Sequence, residues 1–176
     1  AESGYYQFVF DTPDFRLCDS VKLPCIVEAQ IAAFAHELSA FENDELYKAA
    51  QSKRLRFAEE SFIPSGLFTE DMKAAEEPEA YAILTGHVIK TVLRINPVTK
   101  SEFLWAKVQT LGGVFDVVAD PLIVNGAVVE GGIVQGSFWL SGRVVHSDSR
   151  VRLNSSQRLF RVDFEREPLW LTQNTI

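Results

Sequence analysis

The chain has few of the residues from which covalent or metal-held frameworks are built. Its 176 residues include two cysteines and three histidines. Cys18 and Cys25 have no histidine nearby, and their spacing fits neither a zinc site nor a Cys-x-x-Cys redox motif. We interpret them as free thiols of a cytosolic protein, with a local disulfide as the alternative if the protein is exported.

Long apolar runs and catalytic motifs are also lacking. No run approaches the roughly 18 residues that span a bilayer, and residues 1–7 lack the basic-then-apolar form of a signal peptide. We therefore expect a cytoplasmic protein with no membrane partner. There is no phosphate loop, dinucleotide fingerprint or Gly-x-Ser-x-Gly motif, so we predict neither catalytic residues nor a cofactor.

Charge is unevenly distributed along the chain, whose net charge is −7. Residues 1–80 carry seven basic and sixteen acidic side chains, and residues 143–176 carry six basic and four acidic ones. The acidic excess argues against a general nucleic-acid binder but leaves room for a local basic face. The basic tail is expected to pair with the acidic half of its own chain or of a twin subunit, which makes a homodimer or another protein partner possible.

The region after Cys25 has a helical period. Its apolar residues recur at spacings of four, three, four and three, which predicts an amphipathic helix. Asn43 or Asp44 can cap a second short helix, Glu45–Ser52. A strand is predicted over Tyr5–Phe10, and Phe57–Phe68 is an aromatic connector that forms a loop or a short strand. The apolar residues of the first helix are Val27, Ile31, Phe34, Leu38 and Phe41.

A run of strands follows, with Gly86 as a bend in the first. We expect one domain over residues 1–176, made of a helical, aromatic-rich segment (1–79), a β-barrel core (80–145) and a C-terminal extension (146–176). The predicted strands are Tyr81–Ile95, Glu102–Thr110, Val114–Ala119, Ile133–Val145 and, as an outer strand, Leu159–Phe164.

Alternation along two of these strands defines an apolar face and a mixed face. Leu104, Ala106 and Val108 share the inward parity of their strand. Trp105 and Trp139 fall on the other, mixed parity of their strands. Aromatic side chains interleaved with cations and amides form a stacking platform for bases, sugars or the side chains of another protein. The predicted ligand-binding residues are Phe103, Trp105, Lys107, Gln109, Trp139 and Arg143.

Three interpretations of Trp105 and Trp139 remain open. The one we favour has the N-terminal helix cover them, because its apolar stripe needs a partner. The alternatives are an exposed ligand face and a dimer interface. A register error of one residue would exchange the two faces.

The order of strands and turns resembles an OB-fold barrel. The resemblance rests on Gly86, Gly112-Gly113, Asp120-Pro121 and Gly132, and covers about residues 80–145. It implies an α+β fold: an OB-like or strongly bent antiparallel β-barrel with flanking strands and an N-terminal helical segment packed on it. Leu159–Phe164 or Tyr5–Phe10 would supply the fifth strand. It also implies a ligand face on the second and third strands, presenting Phe103, Trp105, Lys107 and Asp116.

We predict a non-enzymatic binding or interaction module. The alternative is a nucleic-acid or oligosaccharide binder that uses the Trp105 and Trp139 face. A small metal-dependent enzyme is a weaker one, with ligands drawn from Asp116, Asp120, His146 and Asp148, although no metal site is predicted. His87 is expected to be a packed strand histidine.

Overall fold

Strands make up most of the described chain, and one short α-helix accompanies them. The computed structural model describes residues 8–13, 25–51, 56–65, 79–145 and 160–164. The helix is α1, Asp44–Ala50. The strands are β1 Cys25–Phe41, β2 Ser61–Pro64, β3 Tyr81–Ile95, β4 Glu102–Thr110, β5 Gly113–Ala119, β6 Val124–Asn125, β7 Ile133–Val145 and β8 Phe160–Phe164.

Five of the strands close into a barrel, in the order β3, β4, β5, β1, β7 and back to β3. β3 is antiparallel to β4 and β7, and β4 is antiparallel to β5. β1 runs parallel to β5, so the barrel is not antiparallel throughout. β2 extends β3, and β6 and β8 extend β1. The predicted α+β class with a barrel is confirmed, although the helical part is small.

The strands are strongly staggered around the barrel. Following paired residues once around the barrel, a path that starts at Val92 of β3 returns to β3 at Tyr81. The two positions are 11 residues apart along β3. A closed sheet needs such a stagger because its strands tilt against the barrel axis. The positions along the circuit, each paired with or contacting the next, are Val92, Trp105, Val118, Phe34, Trp139 and Tyr81.

The barrel interior is filled by alternate residues of the strands, and the buried phase changes within β1 and at the bulge of β3. Gly86 faces inward on β3, where an added Cβ would lie 2.1 Å from the Gln109 carbonyl oxygen. The register of β3 shifts between Val88 and Lys90, a bulge that bends the strand. The largest fully buried inward residues include Leu38, Leu84, Val88, Val108, Phe115, Val117, Val134, Phe138 and Leu140.

The predicted N-terminal helix is wrong, because residues 25–41 form strand β1. Ala29, Ile31 and Ala33 are buried in alternation, and Leu38 and Ala40 are buried in the opposite phase. Between Ala33 and Leu38 the buried positions change from odd-numbered to even-numbered residues. The apolar residues are therefore spaced by three and four, as they are in an amphipathic helix. β1 is also the fifth barrel strand, which the sequence had assigned to Tyr5–Phe10 or Leu159–Phe164.

Most other predicted elements are confirmed. The bounds of β3, β4 and β7 are those predicted, β5 begins one residue earlier, and β8 covers the described part of the predicted outer strand. α1 is capped by Asn43, whose Oδ1 accepts a hydrogen bond from the Leu46 amide at 2.9 Å. Phe8–Phe10, the described part of the first predicted strand, has no strand structure.

The chain divides into two compact units. One contains residues 1–11 and 32–141, and the other contains residues 12–31 and 142–176. The barrel circuit described above lies in the first, and the pairing of β8 with Cys25–Ala29 lies in the second. The prediction of a single domain stays a prediction. Within the described ranges, no helix has both the length and the apolar character needed to cross a membrane.

Gly136 tests the position of β1. A Cβ added at Gly136 would lie 2.1 Å from the Glu37 carbonyl oxygen on β1. We therefore expect Gly136→Ala to lower the free energy of unfolding by roughly 3 kcal/mol, as overpacking against a rigid backbone does. Urea denaturation measures the loss, with the m value unchanged.

Gly131→Ala is the matched control. Gly131 has φ +81° and no atom within 4 Å of an added Cβ, so only backbone strain of about 1 kcal/mol is expected. Equal losses in the two variants would contradict the placement of β1 beside β7.

Candidate functional site

A row of mostly aromatic side chains crosses the outside of the barrel. We define the aromatic row as Trp105, Val118, Phe34, Trp139 and Tyr81, contributed by β4, β5, β1, β7 and β3. Facing residues of neighbouring strands share a face of the sheet, and each position lies next to a buried residue of its own strand. The side chains of the row therefore point away from the barrel core, because residues of a strand point alternately inward and outward.

Near the Tyr81 end of the row, Trp139 is held by contacts with two segments. Its Nε1 donates a hydrogen bond to Asp11 Oδ2 at 2.5 Å. Its ring centroid lies 5.4 Å from that of Phe34. The backbone fixes Asp11, because its amide donates to the Leu140 carbonyl oxygen at 3.0 Å. Trp139 and Phe34 nevertheless remain 39% and 37% exposed, so their rings are positioned and still open to a ligand.

The other end of the row is basic. The Arg94 guanidinium lies 5.0 Å from the centre of the Trp105 ring, a cation–π contact. Lys90 faces Lys107 across β3 and β4, and Arg94 faces Phe103. We call Lys90, Arg94, Lys107 and the turn residue Lys100 the basic ribbon. Residues 81–109 hold these four cations and one acidic side chain, Glu102, in a chain whose net charge is −7.

The structure brings five of the six predicted ligand residues to one outer surface. Phe103, Trp105, Lys107 and Gln109 share the outer parity of β4. Trp139 joins them through Val118 and Phe34 rather than directly. Their role in binding stays a prediction.

The sixth residue, Arg143, belongs to the other compact unit. There its Nε and Nη2 donate to Gln30 Oε1 at 3.1 Å and 2.8 Å.

Sequence reasoning missed Phe34, Lys90 and Arg94. Phe34 had been placed on the predicted helix, although the same pattern did mark it as an apolar partner for Trp139. No helix covers the two tryptophans within the described residues, so the favoured interpretation of a helical cover is wrong. The alternation on β3 changes at the bulge near Val88, and this concealed which residues of its second half face outward.

The acidic residues proposed as metal ligands do not come together in the described chain. Asp116 lies within β5, opposite Lys107. Asp120 caps the 3-10 turn Pro121–Ile123, accepting from the Leu122 amide at 2.9 Å. His146 and Asp148 lie outside the described residues.

A different group, Asp44, Glu59 and His87, places its ligand atoms within 4.8 Å of one another. It could not be found from the sequence, because its members are widely separated and form no motif.

Lys48 lies beside this group. Its Nζ is 2.6 Å from Glu59 Oε1. The hydrogen bond raises the pKa of Lys48 and lowers the pKa of Glu59. Tyr47, the residue before Lys48, anchors α1, because its ring is buried. Its hydroxyl donates to the carbonyl oxygens of Phe57 and Ala58 at 3.3 Å. Burial raises the pKa of Tyr47.

Comparisons of the chain with models of known protein families, with curated proteins and with solved structures find no match. The chemistry of the aromatic row is therefore interpreted from its own geometry.

Substitution of Asp11 tests how the row is positioned. Asp11→Ala removes the acceptor of the Trp139 indole N–H, so we expect a clear change in the chemical shift of that indole resonance. The free energy of unfolding should fall by about 1 kcal/mol, as for one hydrogen bond.

Two-dimensional 1H–15N NMR measures the shift, with the resonance assigned through Trp139→Phe. The Trp105 indole resonance is the internal control and should not move. An unchanged Trp139 resonance would contradict the hydrogen bond.

Proposed function

We propose that this protein is a non-enzymatic binding module that takes single-stranded nucleic acid along the aromatic row. The observation that carries the proposal is the continuity of the row, in which aromatic rings on separate strands share one outer surface that ends at a cluster of cations. Aromatic rings stack on bases of any sequence, at about 1–3 kcal/mol per base. A cationic border then attracts the phosphates.

The spacing of the row suits an extended chain. Neighbouring strands lie about 4.8 Å apart, so the three steps from Trp105 to Trp139 amount to roughly 15 Å around the barrel. Phe34 and Val118 fill the interval with apolar surface. A single nucleic-acid strand laid across these positions would meet the Trp105 ring at one end and the Trp139 ring at the other. The row itself contributes no charged side chain between them.

The charge distribution supports the same orientation. The basic ribbon lies at the Trp105 end, where Arg94 is already stacked on the indole. Residues 1–80, which carry seven basic and sixteen acidic side chains, offer no comparable attraction for phosphates. The net charge of −7 thus argues against binding over the whole surface and is compatible with one local site.

The barrel order adds support at the level of the fold. If β3 is counted as the first barrel strand, then β4, β5 and β7 follow as the second, third and fourth. β1 takes the place of the fifth, although it comes first in the chain. The row crosses β4 and β5, the strands on which OB-like barrels present their ligands. We infer an OB-like barrel on this basis.

An oligosaccharide is the second candidate, and one observation favours it. The Trp139 end of the row carries the Asp11 carboxylate, and a ring beside an acceptor suits a sugar face with its hydroxyl groups better than a phosphate. This candidate would use Trp139 more than Trp105. It would also gain little from the basic ribbon.

Fluorescence anisotropy of a labelled oligothymidylate tests the proposal. We expect saturable binding that Trp105→Ala weakens at least tenfold, the loss of one stacked base. Affinity should also fall with salt, with a log–log slope of about −2 to −3 for three or four phosphate contacts on a single strand.

Leu111→Ala is the control, because Leu111 is an exposed apolar residue of the β4–β5 turn outside the row. Affinity equal in Trp105→Ala and Leu111→Ala would contradict the proposal, as would anisotropy that stays constant up to high protein concentration. Salt-independent binding of a neutral glycan, lost in Trp139→Ala, would instead establish the second candidate.

A further inference from the structure

Three metal-ligating side chains from separate segments meet beside α1. Asp44 belongs to the first turn of α1, Glu59 to the connector before β2, and His87 to the outer face of β3. One ligand atom of each lies within 4.8 Å of the other two. All three are partly exposed, so solvent can reach the point between them.

We propose that Asp44, Glu59 and His87 bind a divalent transition-metal ion of the Zn²⁺ class. One imidazole nitrogen and two carboxylate oxygens are a mixed donor set. Imidazole favours Zn²⁺ and its neighbours over Mg²⁺ and Ca²⁺, which prefer oxygen alone. Three protein ligands leave further coordination positions for solvent. The inference is independent of the aromatic row.

The separations are close to those of a bound ion. Ligand atoms about 2.0–2.1 Å from a tetrahedral Zn²⁺ lie roughly 3.4 Å from one another. His87 Nδ1 and Asp44 Oδ1 are 4.0 Å apart, so they need to approach by only a fraction of an ångström. Asp44 and Glu59 are acidic side chains on accessible segments, and small rotations about their χ angles supply the remaining movement.

Lys48 is the competitor for this position. Its ammonium neutralises Glu59 at 2.6 Å, in place of the positive charge that a metal ion would supply. The Lys48 side chain is 65% exposed, so it can move into solvent when an ion binds. Lys48→Met should therefore strengthen metal binding, whereas a purely structural carboxylate–lysine pair would give no such gain.

A bound ion would fasten α1 and the connector to the barrel. Without an ion, α1 and the connector meet through the Lys48–Glu59 pair and through hydrogen bonds from Tyr47 and Gln51 to backbone carbonyl oxygens of the connector. An ion that binds the folded chain and not the unfolded one raises stability in proportion to the logarithm of its concentration above the dissociation constant. The predicted role is structural.

Titration with Co²⁺, followed by visible absorption, tests the site in the full chain. Co²⁺ replaces colourless Zn²⁺, and thiolate ligands would reveal themselves by a charge-transfer band, which separates this site from binding at Cys18 or Cys25. We expect one Co²⁺ per chain with nitrogen and oxygen ligands, displaced by Zn²⁺. His87→Gln and Asp44→Asn should each lower the affinity at least tenfold.

His36→Gln is the matched control, because His36 is an exposed histidine of β1 outside the cluster. It should bind as the parent chain does. Circular dichroism shows whether each variant is folded. If His87→Gln does not fold, the comparison is made with Asp44→Asn. The proposal is overturned if millimolar Co²⁺ gives no visible band, if the band is that of thiolate ligands, or if affinity is equal in His87→Gln and His36→Gln.

Discussion

The insertion of β1 between β5 and β7 is the constraint on which the rest of the structure depends. The four strands β3, β4, β5 and β7 would leave an open sheet with two edges, and β1 supplies the pairing that joins those edges. Closure by one parallel and several antiparallel pairs sets the stagger, since the circuit must return to β3 at a displaced position. Exposed strand edges, which invite association with other chains, are removed from the barrel at the same time.

The stagger also determines what the outer surface can do. In β3 itself, the neighbours of Trp105 and Trp139 are 11 residues apart, on the order of 35 Å along an extended strand. By way of β5 and β1, the two tryptophans are only three strands apart. The same closure that buries Phe115 and Phe138 therefore assembles a surface from residues distant in sequence. Packing and the candidate ligand surface share one geometric origin.

Local pattern predicted the strands well where one face of the strand is regular. In β4, the apolar residues Leu104, Ala106 and Val108 alternate with a mixed set of aromatic and polar residues, and the outward position of Trp105 followed from that alternation. β1 failed because five of its seventeen residues are alanine, which is favoured in helices. Alanine at Ala29 and Ala33 is buried in this strand, and tertiary packing overrides its intrinsic preference.

The candidate sites were only partly accessible from sequence for the same reason. Trp139 could be assigned to the outer face, but its neighbour Phe34 depends on a pairing between segments about one hundred residues apart in the chain. The convergence of Asp44, Glu59 and His87 likewise depends on how α1 is placed on β3. The spacing of residues along the chain does not predict contacts between side chains on separate segments unless the fold is already known.

The parallel pairing of β1 has a consequence for synthesis of the chain. Ala33 is paired opposite Val117, so this strand leaves the ribosome 84 residues before its first barrel partner, and β7 follows later still. During that interval β1 is an apolar segment with unpaired backbone groups, and contacts of such high contact order form slowly. A nascent chain of this protein therefore holds the segment without its barrel partners until β5 has been synthesised.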